Sequence, residues 1–222
     1  MNCFRCQRPA VIFQRYSGRP LCLHHLCIDI ESRAKRSIRK NQWLSRGDRI
    51  GVVEGMEQSR ALGRFLGRLV EGRHDISLVS LSPPPRASPG SPSWYASLTQ
   101  GAADASVTRV ALPFSLEDQA AGILSAILRG RADLLFRPPA FMDGTAVMIP
   151  FQEIPGDELI LYAAGSGGGD PSGVRGVSPP IREDPFPSAV RSLLHAYTRT
   201  HPSAPHALCR YREELQDRNR SD

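Results

Sequence analysis

The sequence predicts an α/β fold in which a small metal-binding knuckle precedes a parallel sheet and two helices follow it. Four cysteine or histidine residues form two close pairs within the first 25 residues. From Asp48 onward, short apolar strands alternate with helical segments, which is typical of a parallel sheet with helices on both faces. A length of 222 residues suffices for one domain with its own core beside such a knuckle.

The two ligand pairs are Cys3-x2-Cys6 and Cys22-x2-His25, separated by fifteen residues. Paired spacing on both sides is typical of a tetrahedral Zn²⁺ site in which each pair occupies one tight turn. Residues 7–21 are expected to form a hairpin that is too small to bury a core, so the metal would supply most of its folding energy. We therefore predict a structural zinc on Cys3, Cys6, Cys22 and His25, with His24 and Cys27 as alternative fourth ligands and a metal-free set of thiols as the competing interpretation.

A basic helix is predicted over residues 28–41, which contain neither glycine nor proline. Ile28, Ile30, Ala34 and Ile38 would form its apolar stripe. Residues 1–49 hold eleven Lys or Arg and three Asp or Glu, whereas the rest of the chain has a net charge of −2. Clustered cations suit nucleic-acid phosphates, although such a cluster can also be a solvated face. The candidate nucleic-acid contacts are Arg33, Lys35, Arg36, Arg39 and Lys40.

The remaining elements follow from apolar periodicity and from the placement of glycine and proline. Strands are predicted at 49–53, 75–81, 107–112 and 147–151, and helices at 57–69, 116–129, 157–164, 188–197 and 205–216. Segments 82–101 and 165–187 are rich in Gly, Pro and Ser and are expected to be loops. The predicted organisation is a knuckle at 1–27, a basic helix and linker at 28–47, an α/β domain at 48–164, a loop at 165–187 and C-terminal helices at 188–222.

The sequence shows neither an apolar run of membrane-spanning length nor a secretory signal. Cysteines that act as metal ligands and not as a disulfide framework favour a reducing compartment. We accordingly expect a cytoplasmic protein without a membrane partner.

Several motifs in order resemble the PP-loop tRNA 2-thiolation enzymes. The CxxC…CxxH knuckle and basic helix lead into Gly47-Asp48-Arg49-Ile50, as at the start of that family. Further matches are Glu117-Asp118-Gln119-Ala120 with Leu128-Arg129-Gly130, Ile149-Pro150 with Glu158 to Ala163, and Arg199 to Ala204. The resemblance implies a PP-loop α/β domain and an enzyme that adenylates a tRNA uridine before replacing its oxygen with sulfur.

The catalytic motifs of that family are altered in this sequence. The family's phosphate loop, Ser-Gly-Gly-Lys-Asp-Ser, corresponds to Glu54-Gly55-Met56-Glu57-Gln58-Ser59, in which only Gly55 and Ser59 match. A carboxylate thus stands where the family has an ammonium group. The loop at 82–101 lacks the family's cysteines, and Cys209 is interpreted as structural. The family's Gly-His-Asn-Ala-Asp-Asp motif corresponds to residues 113–118, of which Asp118 matches.

These departures predict a degenerate, catalytically impaired family member that binds tRNA or a partner protein. Structural zinc is the expected cofactor, and neither ATP nor an iron–sulfur cluster is expected to bind. The expected partners are tRNA and either an active thiolation enzyme or a sulfur carrier protein. The alternatives are a sulfurtransferase that remains active through a divergent site and a zinc-containing protein–protein scaffold.

Overall fold

The computed structural model describes residues 1–83, 89–131, 133–136, 145–165 and 185–221, and it confirms the predicted α/β class. The strands are β1 (Ile12–Gln14), β2 (Arg19–Leu21), β3 (Arg49–Val53), β4 (Ser77–Leu81), β5 (Arg109–Ala111) and β6 (Ala146–Met148). The helices are α1 (Leu23–Lys40), α2 (Ser59–Val70), α3 (Pro92–Asp104), α4 (Leu116–Leu128), α5 (Asp133–Phe136), α6 (Gly156–Ala164), α7 (Phe186–Thr198) and α8 (Ala204–Ser221).

The main sheet has the strand order β4-β3-β5-β6, and all three strand pairs are parallel. Since β4 and β5 lie on opposite sides of β3, the chain reverses its direction across the sheet between β3 and β5. Ligands of such sheets bind in the crevice at the carboxyl ends of the strands beside this reversal. The loop after β3, residues 54–59, lies there.

The hairpin and the α/β domain share one hydrophobic core. Leu21 of β2 and Leu26 and Ile30 of α1 belong to the same buried cluster as Ile50 of β3 and Phe65 of α2. A Cβ added to Gly165, at the end of α6, would lie 2.8 Å from the side chain of Leu23, so α6 ends directly against the start of α1. The hairpin is therefore part of the main core.

Three sequence-based predictions differ from the structure. Helix α1 begins at Leu23 and not at residue 28, and its buried positions are Leu26, Ile30, Ala34, Ser37 and Ile38. Ile28, which was predicted to face the core, is 43% exposed because the true apolar stripe passes through Leu26. The predicted loop at 82–101 contains the first part of α3, whose first turn is capped by the Ser91 side chain.

Most of the predicted loop at 165–187 lies outside the described residues, as do residues 84–88 of the loop at 82–101. In the described part of the chain, no helix is both long enough and apolar enough to cross a membrane.

Candidate metal centre and the loop after β3

The four predicted metal ligands meet at one point. The Sγ atoms of Cys3, Cys6 and Cys22 and a ring nitrogen of His25 all lie within 4.8 Å of one another. The Cys6–Cys22 sulfur separation is 3.6 Å, and His25 Nδ1 is 3.5 Å from the sulfurs of both Cys3 and Cys22. Tetrahedral bonds of about 2.3 Å to sulfur and about 2.0 Å to nitrogen place donor atoms at separations of about 3.5–3.8 Å. The donor set and its spacing therefore fit a single zinc ion.

Local structure explains how the ligands come together. Cys3 and Cys6 are joined by a tight turn, which is followed directly by Gln7 with a positive φ of 62°. Cys22 is the residue that precedes α1. His25 lies in the first turn of α1, so the early start of this helix is what places its ring beside Cys22. The alternatives His24 and Cys27 are not among the four clustered donors.

The thiol of Cys3 is adapted for binding a cation. Burial tends to raise its pKa, but hydrogen bonds from the backbone near Cys22, Arg5 and Cys6 outweigh this effect and lower the pKa to about 6. One of these donors is the Arg5 amide, 3.4 Å from the sulfur. A thiolate is the form that coordinates metal.

A buried polar network joins the hairpin to the α/β domain, and sequence reasoning did not find it. The carboxylate of Glu158, in α6, accepts hydrogen bonds from Gln14 Nε2 at 3.1 Å and from the Tyr16 hydroxyl at 2.8 Å. Arg33 pairs with the same carboxylate at 3.3 Å and donates to the Tyr16 hydroxyl at 2.8 Å and to the carbonyl of Glu153. Burial raises the pKa of Glu158 despite these donors.

A third element, α8, also contacts this network. The rings of Tyr16 and His206 are 4.7 Å apart. Burial, with the nearby positive charges of Arg33 and Arg210, lowers the pKa of His206 to about 4, so its ring is neutral at pH 7. The signal in the sequence was an acidic residue within the apolar run of α6, since a carboxylate on a buried helix face needs a partner.

The five predicted nucleic-acid contacts lie in two different environments. The side chain of Arg33 is only 15% exposed and is used by the network. Arg36 is exposed, and Lys35 and Lys40 are about half exposed beside Glu31 and Glu213, respectively. Arg39 is exposed, and its Nε donates to the carbonyl of Lys35 at 3.3 Å. The structure therefore leaves four cations on the surface near the end of α1.

The loop after β3 keeps the backbone of a turn that leads into a helix. Gly55 has a φ of +81°, a conformation that favours glycine. The Met56 amide donates to Ser59 Oγ at 3.1 Å, and α2 begins at Ser59. The two positions that match the resembled phosphate loop, Gly55 and Ser59, are therefore the two that shape this turn.

The other side chains of the loop have different contacts. Met56 packs against the hydrophobic cluster that contains Val53 and Trp94. The Glu54 carboxylate accepts hydrogen bonds from the hydroxyls of Ser80 and Ser82 at the end of β4. Glu57 is exposed and accepts a hydrogen bond from Gln58 at 3.4 Å.

A further carboxylate lies beside this loop. Glu117, in the first turn of α4, accepts a hydrogen bond from the Gly156 amide at 2.9 Å. A Cβ added to Gly156 would lie 3.6 Å from both Gln58 Nε2 and Glu117 Oε2, so the start of α6 lies against the loop. Burial raises the pKa of Glu117. The crevice thus contains carboxylates and, among its described residues, no lysine.

Cys209 lies in α8 and packs against the cluster formed by Ile123, Ala126 and Leu135. Burial raises the pKa of its thiol to about 11, which keeps it protonated at neutral pH. These observations agree with a structural role for this residue.

Comparison with known proteins relates the N-terminal residues to one family by sequence and nearly the whole chain to one fold by structure. The family model for the N-terminal LIM domain of the 2-thiouridine synthetase TtuA matches residues 2–27. The tRNA 2-thiolation protein NcsA of Haloferax volcanii is 44% identical over 46 residues, which span 21% of this chain and 14% of that protein.

The U34-tRNA thiolase NcsA from Methanococcus maripaludis, solved with its [4Fe-4S] cluster, has the same fold. The match has a TM-score of 0.76 at 12% identity and covers 98% of this chain and 88% of that one. The chain spans only 14% of the length of the curated relative that it matches, and the structural likeness at 12% identity concerns the fold.

One cofactor prediction requires correction. The expectation against an iron–sulfur cluster is contradicted by the M. maripaludis thiolase, which carries a [4Fe-4S] cluster on this fold, whereas the expectation against ATP stays a prediction. Cys3, Cys6, Cys22 and His25 are moreover a set of ligands that could hold a metal. The departures in the loops were therefore not sufficient grounds for that expectation.

Proposed function

We propose that this chain is a tRNA-binding member of the thiolation family that does not itself catalyse thiolation and acts beside an active family enzyme. The observation that carries the proposal is the loop after β3, whose turn is retained while its side chains have other contacts. The similarity of the N-terminal residues to tRNA 2-thiolation proteins supports tRNA as the ligand.

Electrostatics at the crevice support the non-catalytic part of the proposal. A helix N-terminus attracts anions through its free amides and its dipole. The loop that leads into α2, however, carries the exposed carboxylates of Glu54 and Glu57, which add negative charge, and the partly buried carboxyl of Glu117 lies beside it. Met56 also places a packed side chain where the resembled loop has glycine. The site therefore repels the negative charge of the ATP phosphates, which the family's chemistry has to stabilise.

The exposed cations of α1 support the tRNA-binding part. The last two turns of the helix carry Lys35, Arg36, Arg39 and Lys40. The positive charge there comes from these side chains alone, because the C-terminal end of a helix dipole is negative. Phosphate contacts by such side chains release counterions and give binding that weakens steeply with salt. Because α1 is anchored by His25 and Arg33, these cations extend from a fixed helix.

The first experiment is a salt series of binding to bulk tRNA by the metal-loaded protein. The variant Arg36→Glu/Arg39→Glu should weaken binding at least about tenfold and reduce the slope of log K against log salt by roughly 1.5, the value for two lost contacts. The control Arg73→Glu/Arg131→Glu makes the same change in net charge at exposed sites elsewhere. If both variants lose affinity equally, or the native protein does not bind at low salt, α1 is a solvated face and a protein–protein scaffold becomes the better interpretation.

A second candidate function is an active sulfurtransferase with a divergent site. Its sulfur would come from the thiocarboxylate of a sulfur carrier protein. The observation that favours it is the extent of the structural match to a cluster-bearing thiolase. Purified protein incubated with unmodified tRNA, ATP and a sulfide source separates the two candidates. Mass-spectrometric detection of 2-thiouridine above the background of an Arg36→Glu/Arg39→Glu control would replace the non-catalytic proposal with this one.

A further inference from the structure

The outer face of the metal hairpin combines exposed aromatic rings with arginine. Phe4 is 62% exposed, Val11 49% and Phe13 46%. Strand alternation explains this arrangement, because Ile12 and Gln14 turn inward and their neighbours in β1 turn outward. Neither the metal nor the network at Glu158 uses these outward side chains.

The two rings lie close to the same part of strand β2. Phe13 is opposite Pro20 in the hairpin register, and the amide of Phe4 donates to the carbonyl of Pro20 at 2.8 Å. The guanidinium carbon of Arg19 lies 5.4 Å from the centre of the Phe4 ring. The first residues of the chain therefore carry an aromatic surface in which a cation lies over the Phe4 ring and the Phe13 side chain is exposed.

The charge of this region is complementary to a polyanion. Residues 1–28 contain four arginines (Arg5, Arg8, Arg15 and Arg19) and no acidic residue. All four arginines are exposed. A protein partner would require only the apolar part of this surface, whereas single-stranded nucleic acid uses both parts, since bases stack on aromatic rings and phosphates contact arginine.

We propose that the outer face of the hairpin, formed by Phe4, Val11, Phe13 and Arg19, binds an unpaired nucleotide of RNA by stacking. The proposal rests on the proposed tRNA-binding function and adds that the chain selects unpaired segments. In a duplex the base faces are covered by their neighbours and are not available to Phe4 or Phe13. The cations of α1 would contact phosphates regardless of the RNA sequence. The hairpin would add a preference for unpaired loops or ends.

The test uses the metal-loaded full chain and a single-stranded RNA of about ten nucleotides that carries one 2-aminopurine, with the matching duplex as comparison. Stacking should quench the fluorescence of the native complex. Phe13→Ala and Phe13→Leu should each weaken single-strand binding roughly 5- to 50-fold, whereas Phe13→Trp should retain it, because the aromatic face and not apolar area is required. The salt slope should not change, since no phosphate contact is lost.

Metal content, measured for each variant, checks that the hairpin is intact. If Phe4→Ala and Phe13→Ala bind single-stranded RNA and quench as the native chain does, the inference is wrong while the tRNA-binding function stands. Equal loss of duplex and single-strand binding on Phe13→Ala, or full retention by Phe13→Leu, would also overturn it. The Arg36→Glu/Arg39→Glu variant should show the opposite pattern, with a smaller salt slope and retained quenching.

Discussion

The metal hairpin and the loop after β3 differ in what their side chains do. All four donor atoms of the hairpin converge on one point. In the loop, Gly55 and Ser59 match the resembled phosphate loop and form a turn, while Met56 packs into the core and Glu54 accepts hydrogen bonds from two serines. The comparison teaches that the backbone of a motif does not by itself define its chemistry, which depends on the side chains that the backbone carries.

The largest effect is expected from loss of the metal. Cys22→Ser should release the ion and lower the free energy of unfolding by more than about 5 kcal/mol, because metal affinity in such modules is folding energy. Metal analysis and urea unfolding with and without a chelator measure this. Cys27→Ser and His24→Asn are the matched controls and should retain one zinc per chain. Retention of metal by His25→Asn would contradict the ligand assignment. Iron in place of zinc would contradict the assignment of the metal.

The next largest effect tests whether the hairpin is joined to the α/β domain through Glu158. Glu158→Ala should cost about 3 kcal/mol, because it removes the buried acceptor shared by Gln14, Tyr16 and Arg33 and leaves Arg33 only Asp29, at 3.7 Å, as a charged partner. The double variant Arg33→Met/Glu158→Leu should recover much of this loss in urea unfolding. As a control, Glu213→Ala removes the exposed pair with Lys40 and should cost less than about 1 kcal/mol. A loss from Glu158→Ala no larger than this control would show that the hairpin and the domain are independent.

The smallest effect concerns the loop after β3. Met56→Gly/Glu57→Lys should raise affinity for ATP at least about tenfold over the native chain, since it removes a packed side chain and reverses one charge beside the amides of α2. Isothermal titration measures the change, and Met56→Gly/Glu57→Gln serves as a control that removes the carboxylate without supplying an ammonium group. Micromolar binding by the native chain, unchanged by the substitution, would remove the contrast between the two regions.

Elements whose pattern depends on local sequence were predicted well. Strand β3 occupies the predicted residues 49–53, and α4 differs from its prediction by one residue at its end. Both are bounded by clear local signals, an apolar run in one case and the capping Ser115 with Asp118 in the other. The four predicted metal ligands do lie together, because metal coordination constrains spacing along the chain directly, and their binding of zinc stays a prediction.

Features that depend on distant contacts were not predicted. In the sequence, Arg33 is one more cation of the basic cluster. Only its contact with Glu158, 125 residues away, shows that its side chain is partly buried. Helix α3 was missed because its Gly, Pro and Ser content indicated a loop, although Ser91 before Pro92 is a helix-start signal. The early start of α1 depends on packing of Leu26 into the shared core.

Helix α1 also sets a distance. Its first turn carries His25 and its last turn carries Arg39 and Lys40, so 14 or 15 residues at about 1.5 Å each separate the two ends by roughly 21–23 Å. A flexible tether would let an RNA contact both ends at many spacings. Under the proposed RNA contacts, a helix fixed by His25 and Arg33 would instead favour RNAs whose unpaired segment and phosphate backbone lie about that far apart.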